Sequence, residues 1–162
     1  MLSRLLAERG TGTLVESAGF ISEGAPCPAE VDVVMKRLGY DLSGHRSRIV
    51  GESMLQHADL IIGMTRQHVI DLSLRAPEAW SRTFTITEVA KLGDRAGPRR
   101  PTEGLASWVA RVGESRTRSG LVGLHLSDDV PDPIGRPLSG YVRTRDLLTA
   151  LCFRLADLLA PV

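Results

Sequence analysis

Lysine is nearly absent from this chain: of its 20 basic residues only Lys36 and Lys91 are lysines, and the rest are arginine. The arginines are scattered rather than gathered into a stripe, and against 19 acidic residues they leave a net charge of +1. No global field therefore argues for a nucleic acid or an anionic membrane as partner, and the arginine excess reads as compositional bias. Cysteine is equally scarce. Cys27 and Cys152 stand in unrelated contexts, with no C-x-x-C pair and no histidine spacing of a zinc site, so we expect neither a metal nor a cofactor. Long apolar runs of about 18 residues are missing too, and the first ten residues lack the apolar core and cleavage site of a secretory signal. The expectation is a protein of the reducing cytoplasm, neither exported nor embedded in a membrane.

What is present suits one domain spanning residues 1–162, since 162 residues at 43% hydrophobic content can build one real core and are too few for two. Leu2, Leu5 and Leu6 at helical spacing, followed by Gly10, predict an opening helix. Residues 13–17 (TLVES) read as a short strand. Pro28 then opens a helix with Val31, Val34, Met35 and Leu38 on one face, and Gly39 ends it. A short helical stretch around Met54 and Leu55 precedes residues 59–63 (DLIIG), an apolar run too brief for a helix and suited to a buried parallel strand. Thr65 is placed to cap a helix through Val69, Ile70 and Leu72. Residues 82–86 alternate as a strand, and a short helix around Val89 and Leu92 follows.

Residues 93–104 are rich in Gly, Pro and Arg and predict an exposed loop, leading to a helix around Leu105, Trp108, Val109 and Val112. The last element is an amphipathic helix with Leu148, Leu151, Cys152, Leu155 and Leu159 on its apolar face, which makes Cys152 a small buried residue rather than a nucleophile. Strand and helix alternate throughout, so the predicted class is an α/β three-layer sandwich: a parallel sheet with helices on both faces.

One stretch resists a purely structural reading. In DDVPDPIG, residues 128–135, Asp132 sits between Pro131 and Pro133, which restrict its backbone and keep it out of a helix. Such a carboxylate could be a tool held rigidly, or one of several aspartates in a polar turn that enters the next helix.

Separate stretches, in a consistent order, then point the same way. Ser17-Ala18-Gly19 after the first expected strand, the turn GYDLSGHRSR at residues 39–48, ADLIIGM at residues 58–64, and DVPDP with the YVRTRD helix at residues 129–146 resemble the low-molecular-weight protein-tyrosine phosphatases. The similarity covers most of the chain and thins across residues 73–122. It implies that Asp132 is the general acid that protonates a departing phenolate, whose pKa near 10 makes it a poor leaving group on its own. Asp128 and Asp129 share the loop without matching the acid position. The resemblance further places Ile134 and Phe20 at the substrate slot. Both depart from the family's habit, Ile134 standing where an aromatic usually follows D-P, and Phe20 where S-A-G usually continues with threonine. The arsenate-reducing branch carries extra redox cysteines without counterpart here.

In that family a C-x5-R loop supplies a thiolate nucleophile, and backbone N–H groups with an arginine surround the phosphoryl oxygens. The present sequence contains no such motif: six positions after Cys27 stands Val33, and six after Cys152 stands Leu158. Met1 falls just beyond where the family's loop ends. The sequence-based expectation is thus an N-terminally truncated phosphatase, without its first strand and phosphate loop and inactive as written, whose substrate would be a phosphotyrosine protein or a small aryl phosphate once the loop is restored. A catalytically silent relative acting as a binding or regulatory protein, and a plain α/β domain in which His45, Arg46 and Asp132 are structural, stay open beside it. A missing first strand would leave backbone groups of residues 13–17 and 59–63 unpaired, a gap that a homodimer could fill.

Overall fold

The computed structural model describes residues 1–117 and 128–160. Seven helices and a parallel strand pair follow one another along them: α1 (Leu2–Glu8), α2 (Ala29–Lys36), α3 (Glu52–His57), β1 (Ile61–Gly63), α4 (Arg66–Arg75), a 3-10 turn (Pro77–Arg82), β2 (Thr83–Thr85), α5 (Ile86–Ala96), α6 (Leu105–Gly113) and α7 (Leu138–Leu159). The fold is an α/β sandwich. β1 and β2 run parallel with Ile61 opposite Thr83, Ile62 opposite Phe84 and Gly63 opposite Thr85.

The pleat of that pair sorts the core onto two faces, because successive strand residues point in opposite directions. Ile62 and its partner Phe84 join the larger cluster, with Leu5 and Leu6 of α1, Val89 of α5, Trp108 of α6 and Leu155 of α7. Ile61 turns the other way, onto Leu55 of α3, Leu72 of α4 and Ala79 of the 3-10 turn. Thr83 is fully buried because its hydroxyl donates to the Ala79 carbonyl at 2.8 Å, leaving no orphan polar atom. α4 lies so close to β1 that a Cβ on Gly63 would meet Cβ of His68 at 2.9 Å, which explains a glycine at the strand's end.

The helix signals in the sequence correspond to real caps. The Thr65 hydroxyl accepts the His68 amide at 3.2 Å, and Thr85 with Glu88 forms a reciprocal capping box that starts α5 directly from β2. α7 begins after Pro137 and runs 22 residues, burying Tyr141, Cys152, Leu155, Ala156, Leu158 and Leu159 against its neighbours. No described helix is long and apolar enough to cross a membrane.

Several expectations shift. Residues 13–17 form no strand: Leu14 is 84% exposed, and the first isolated bridge after α1 joins Gly19 to Ile49. A β-prone pentapeptide becomes a strand only beside a backbone partner, and among the described residues these five make no backbone–backbone hydrogen bond. The strand expected over residues 82–86 shortens to Thr83–Thr85, since Arg82 closes the 3-10 turn and Ile86 is already helical. The loop expected from residue 93 starts at Gly97, whose φ of +84° ends α5 where only glycine is unstrained. On α2 only Val34 is fully buried, and Leu38 lies beyond the helix and is exposed. His45 is exposed, and among the described residues its backbone rather than its ring makes the hydrogen bonds.

The arginine-rich loop after α5 is held shut by charge. Arg111 of α6 donates to both Glu103 carboxylate oxygens, at 2.9 and 2.7 Å, and also to the carbonyls of Ala96 and Pro98. The Arg111 hydrogen bonds lower the Glu103 carboxyl from 4.5 to about 2 despite partial desolvation. A folded-state pKa below the unfolded one contributes stability that is whole above pH 4.5 and disappears as pH falls toward 2. Urea midpoints of wild type and Glu103→Gln should therefore differ by a constant amount above pH 5 and converge between about pH 4.5 and 2. A gap that stays constant down to pH 2 would show that the Glu103 charge contributes nothing.

Candidate functional site

In parallel α/β architectures ligands gather at the carboxyl ends of the strands, where loops replace the ladder and helix N-termini offer free N–H groups. β1 ends at Gly63, and Met64, Thr65 and Arg66 carry the chain into α4. The proline-rich loop singled out in the sequence docks at this end. The Val130 N–H donates to the Met64 carbonyl at 2.8 Å, and Val130 itself is buried in the larger core cluster. The Arg66 N–H, one of the uncompensated donors of the first turn of α4, donates to Oδ1 of Asp129 at 2.8 Å.

Asp128 is the most buried carboxylate of the loop, at 8% exposure. Its Oδ2 accepts from Nη2 of Arg66 at 2.9 Å, and its Oδ1 from Nζ of Lys91 at 2.7 Å. Burial alone raises its carboxyl pKa, but the hydrogen bonds and charges of Lys91 and Arg66 outweigh it and hold the group below the ordinary carboxylate range. On the far side of the loop the Thr144 hydroxyl of α7 donates to the Pro131 carbonyl at 3.0 Å.

Asp132 follows directly and is exposed. Its Oδ1 accepts the Ile134 N–H at 3.0 Å, an Asx turn that fixes the carboxylate relative to its own loop. The Arg136 N–H donates to the Pro133 carbonyl at 3.0 Å, and Gly135 takes a φ of +74° to close that turn before α7. Ile134 is 70% exposed beside Asp132. Asp132 and Ile134 are thus joined, and an aliphatic surface lies next to a solvent-facing carboxylate.

Phe20 occupies a different flank. It packs on the smaller core cluster, its ring 5.1 Å from the His68 ring and 5.1 Å from the Arg75 guanidinium, both on α4. Nδ1 of His68 in turn accepts the Met64 N–H at 3.3 Å, so Phe20 borders the strand end that carries the proline-rich loop, on the side of α4. Its ring contacts among the described residues do not include Asp132 or Ile134.

Neither cysteine is set up as a nucleophile. Burial pushes the Cys152 thiol up, and burial followed by the nearby Asp32 charge raises Cys27, the opposite of what a thiolate at neutral pH requires. Arg66 and Lys91 are the site residues to which sequence reasoning gave no role, and Asp128 was assigned no part beyond sharing the loop. Their ion pairs span 62 and 37 residues, and no periodicity or motif signals a contact of that range.

Comparison with known proteins places these features. The family model described as low molecular weight phosphotyrosine protein phosphatase matches residues 1–95, a span that includes β1, α4 and β2 and stops short of the proline-rich loop. A protein-arginine-phosphatase of Geobacillus stearothermophilus is 28% identical over 147 residues, covering 90% of this chain and 76% of the relative. The solved YwlE arginine phosphatase from the same organism superposes with a TM-score of 0.68 at 26% identity, over 96% of this chain and 80% of that one. A low molecular weight protein tyrosine phosphatase from T. tengcongensis gives a TM-score of 0.59 at 30% identity, over 86% of this chain and 74% of its own. With the family model matched over more than half of its residues, the chain belongs to the low molecular weight phosphotyrosine protein phosphatase family.

Proposed function

We propose that these residues form the leaving-group side of a phosphatase site acting on phosphorylated protein side chains, with Asp132 as the general acid. The observation that supports this best is the combination at one loop: an exposed carboxylate between two prolines, on a backbone fastened to the carboxyl end of a parallel strand. In the reaction a thiolate attacks phosphorus and forms an S–P bond while the bond to the leaving atom breaks. The electron pair goes to that atom, which takes the Asp132 proton. The leaving atom is a phenolic oxygen for phosphotyrosine and a guanidine nitrogen for phosphoarginine. Both leave poorly as anions, since phenolate is the conjugate base of an acid of pKa near 10 and a deprotonated guanidine nitrogen is a far stronger base still, so both need the proton.

Ile134 offers an aliphatic rather than aromatic edge beside the acid, and Phe20 lines the α4 flank. This combination does not demand a stacked ring. The relatives named for arginine phosphatase activity support including phosphoarginine with phosphotyrosine as the substrate class. On this reading the thiolate and phosphate cradle belong to a C-x5-R loop, a motif these 162 residues do not contain. We further infer a cytoplasmic location, where thiols stay reduced. The second reading, a silent relative that binds without catalysis, draws on one observation: both thiols present are raised by burial, and neither begins a C-x5-R.

Two measurements test the proposal. Purified 1–162 should show no iodoacetate-sensitive hydrolysis of aryl phosphate or phosphoarginine, because burial raises both thiols. Thiol-dependent turnover by this chain would mean that Cys27 or Cys152 performs the chemistry.

In a version carrying a C-x5-R loop ahead of residue 1, Asp132→Asn should reduce turnover of an unactivated aryl phosphate by about 10²–10⁴-fold, and of an activated one much less. Asp129→Asn keeps an oxygen acceptor for the Arg66 N–H and should be close to wild type. A large leaving-group-dependent loss in Asp129→Asn with a silent Asp132→Asn would move the acid to Asp129. A loop-bearing protein without any turnover would favour the silent relative.

A further inference from the structure

Four consecutive residues of the loop are each bound to a different fixed point of the scaffold. Asp128 is bound by the side chains of Arg66 on α4 and Lys91 on α5, and Asp129 by the Arg66 backbone. Val130 is bound to the Met64 carbonyl, and Pro131 accepts from Thr144 of α7. Asp132 comes next, and among the described residues its carboxylate bonds only inside the loop, to the Ile134 N–H. The anchoring stops one residue before the acid.

Asp128 begins this series and differs from the other anchors in kind. Its side chain is buried, and two cations on separate helices grip its two oxygens, so its position is fixed in more than one direction at once. Charge-assisted bonds of this kind are short and strong, and removing the charge would leave both cations without their shared partner. Asp129 then takes the backbone of the same Arg66 whose side chain holds Asp128, which sets the register of the loop on α4. We propose that Asp128 is a positioning residue: clamped by Arg66 and Lys91, it fixes the backbone from which Asp132 is presented to the leaving group. The inference rests on Asp132 being the general acid.

The test uses the full 162-residue chain and two amides that report the loop. Protection of the Val130 amide against hydrogen exchange reads the anchor at Met64, and the proton shift of the Ile134 amide reads the bond to Asp132. In Asp128→Asn the Val130 protection factor should fall by about tenfold to a hundredfold, the range expected for a bond to a charged group. The Ile134 amide should move toward its random-coil position. Val109 and Val112 in α6 should keep their protection. Lys91→Gln leaves the Arg66 pair in place and should loosen the same two amides by a smaller factor, and it decides the question if Asp128→Asn does not fold. Unchanged Val130 and Ile134 amides in the folded variants would overturn the proposal. A loss of protection spread evenly over α5, α6 and α7 would overturn it too, by making Asp128 a general staple of the fold. Neither readout involves proton transfer, so the clamp can fail while Asp132 remains the acid, and a clamp that both amides report is told apart from a failed acid assignment, which Asp132→Asn reads by turnover.

Discussion

Three residue pairs, Ile61–Gly63 against Thr83–Thr85, organise most of what surrounds them. A parallel pair this short contributes few hydrogen bonds, so its importance lies in the alternation it imposes. Ile62 and Phe84 face one layer of helices while Ile61 faces the other, and each side buries its apolar residues only because the register is fixed. A slip of one residue would move Phe84 out of the cluster containing Trp108 and Leu155 and put Thr83 in its place. The hydroxyl of Thr83 would then lose the Ala79 carbonyl. Such a slip would combine a lost aromatic contact with an unsatisfied buried oxygen, and each of these alone is strongly destabilising in a small protein.

The close approach of α4 to the end of β1 follows from the same pair and shapes the site. With no side chain on Gly63, the first turn of α4 descends onto the strand, and Met64 and Arg66 present a carbonyl, an amide and a guanidinium within a few residues of chain. The proline-rich loop takes up all three. Its position is therefore set first by the strand end, and α7, which follows it directly in sequence, adds the Thr144 bond to Pro131. Rigidity close to Asp132 comes from the prolines, while rigidity relative to the sheet comes from residues 128–131. A carboxylate that donates a proton to a leaving atom needs both kinds, because misplacement of about an ångström is costly in oriented catalysis.

Placement of an acid and activation of a nucleophile are physically separate tasks with opposite requirements. The carboxylate needs exposure and a stiff backbone, and Asp132 has both. A reactive thiol needs positive potential and N–H donors to lower its pKa, whereas Cys152 lies among the apolar residues of α7 and Cys27 near an acidic neighbour, environments that raise it. Among the described residues the larger core cluster draws on α1, α5, α6 and α7. Packing of this chain and the phosphoryl chemistry proposed for it thus rest on different residues.

How much of this was legible in the sequence depended on the range of each interaction. Thr65 as a helix cap, Gly39 as a break, the buried Cys152 and the run LIIG are local facts, decided within one or two turns, and pattern reading finds them. The stiffness of Asp132 is local as well, because proline acts on its immediate neighbours. Residues 13–17 have the same local character as a strand, yet strand formation is a pairing event, and no pentapeptide carries its partner within it. The clamp on Asp128 lies further still from what a pattern can hold. It joins three segments through charges that, read along the chain, look like ordinary surface residues, and Lys91 sits on α5 with nothing in its neighbours to mark it. Only the fold makes Arg66 and Lys91 converge. The loop that announces itself through its prolines is therefore held in place by residues that announce nothing, since the backbone angles that proline dictates are encoded locally and the direction in which a loop points is not.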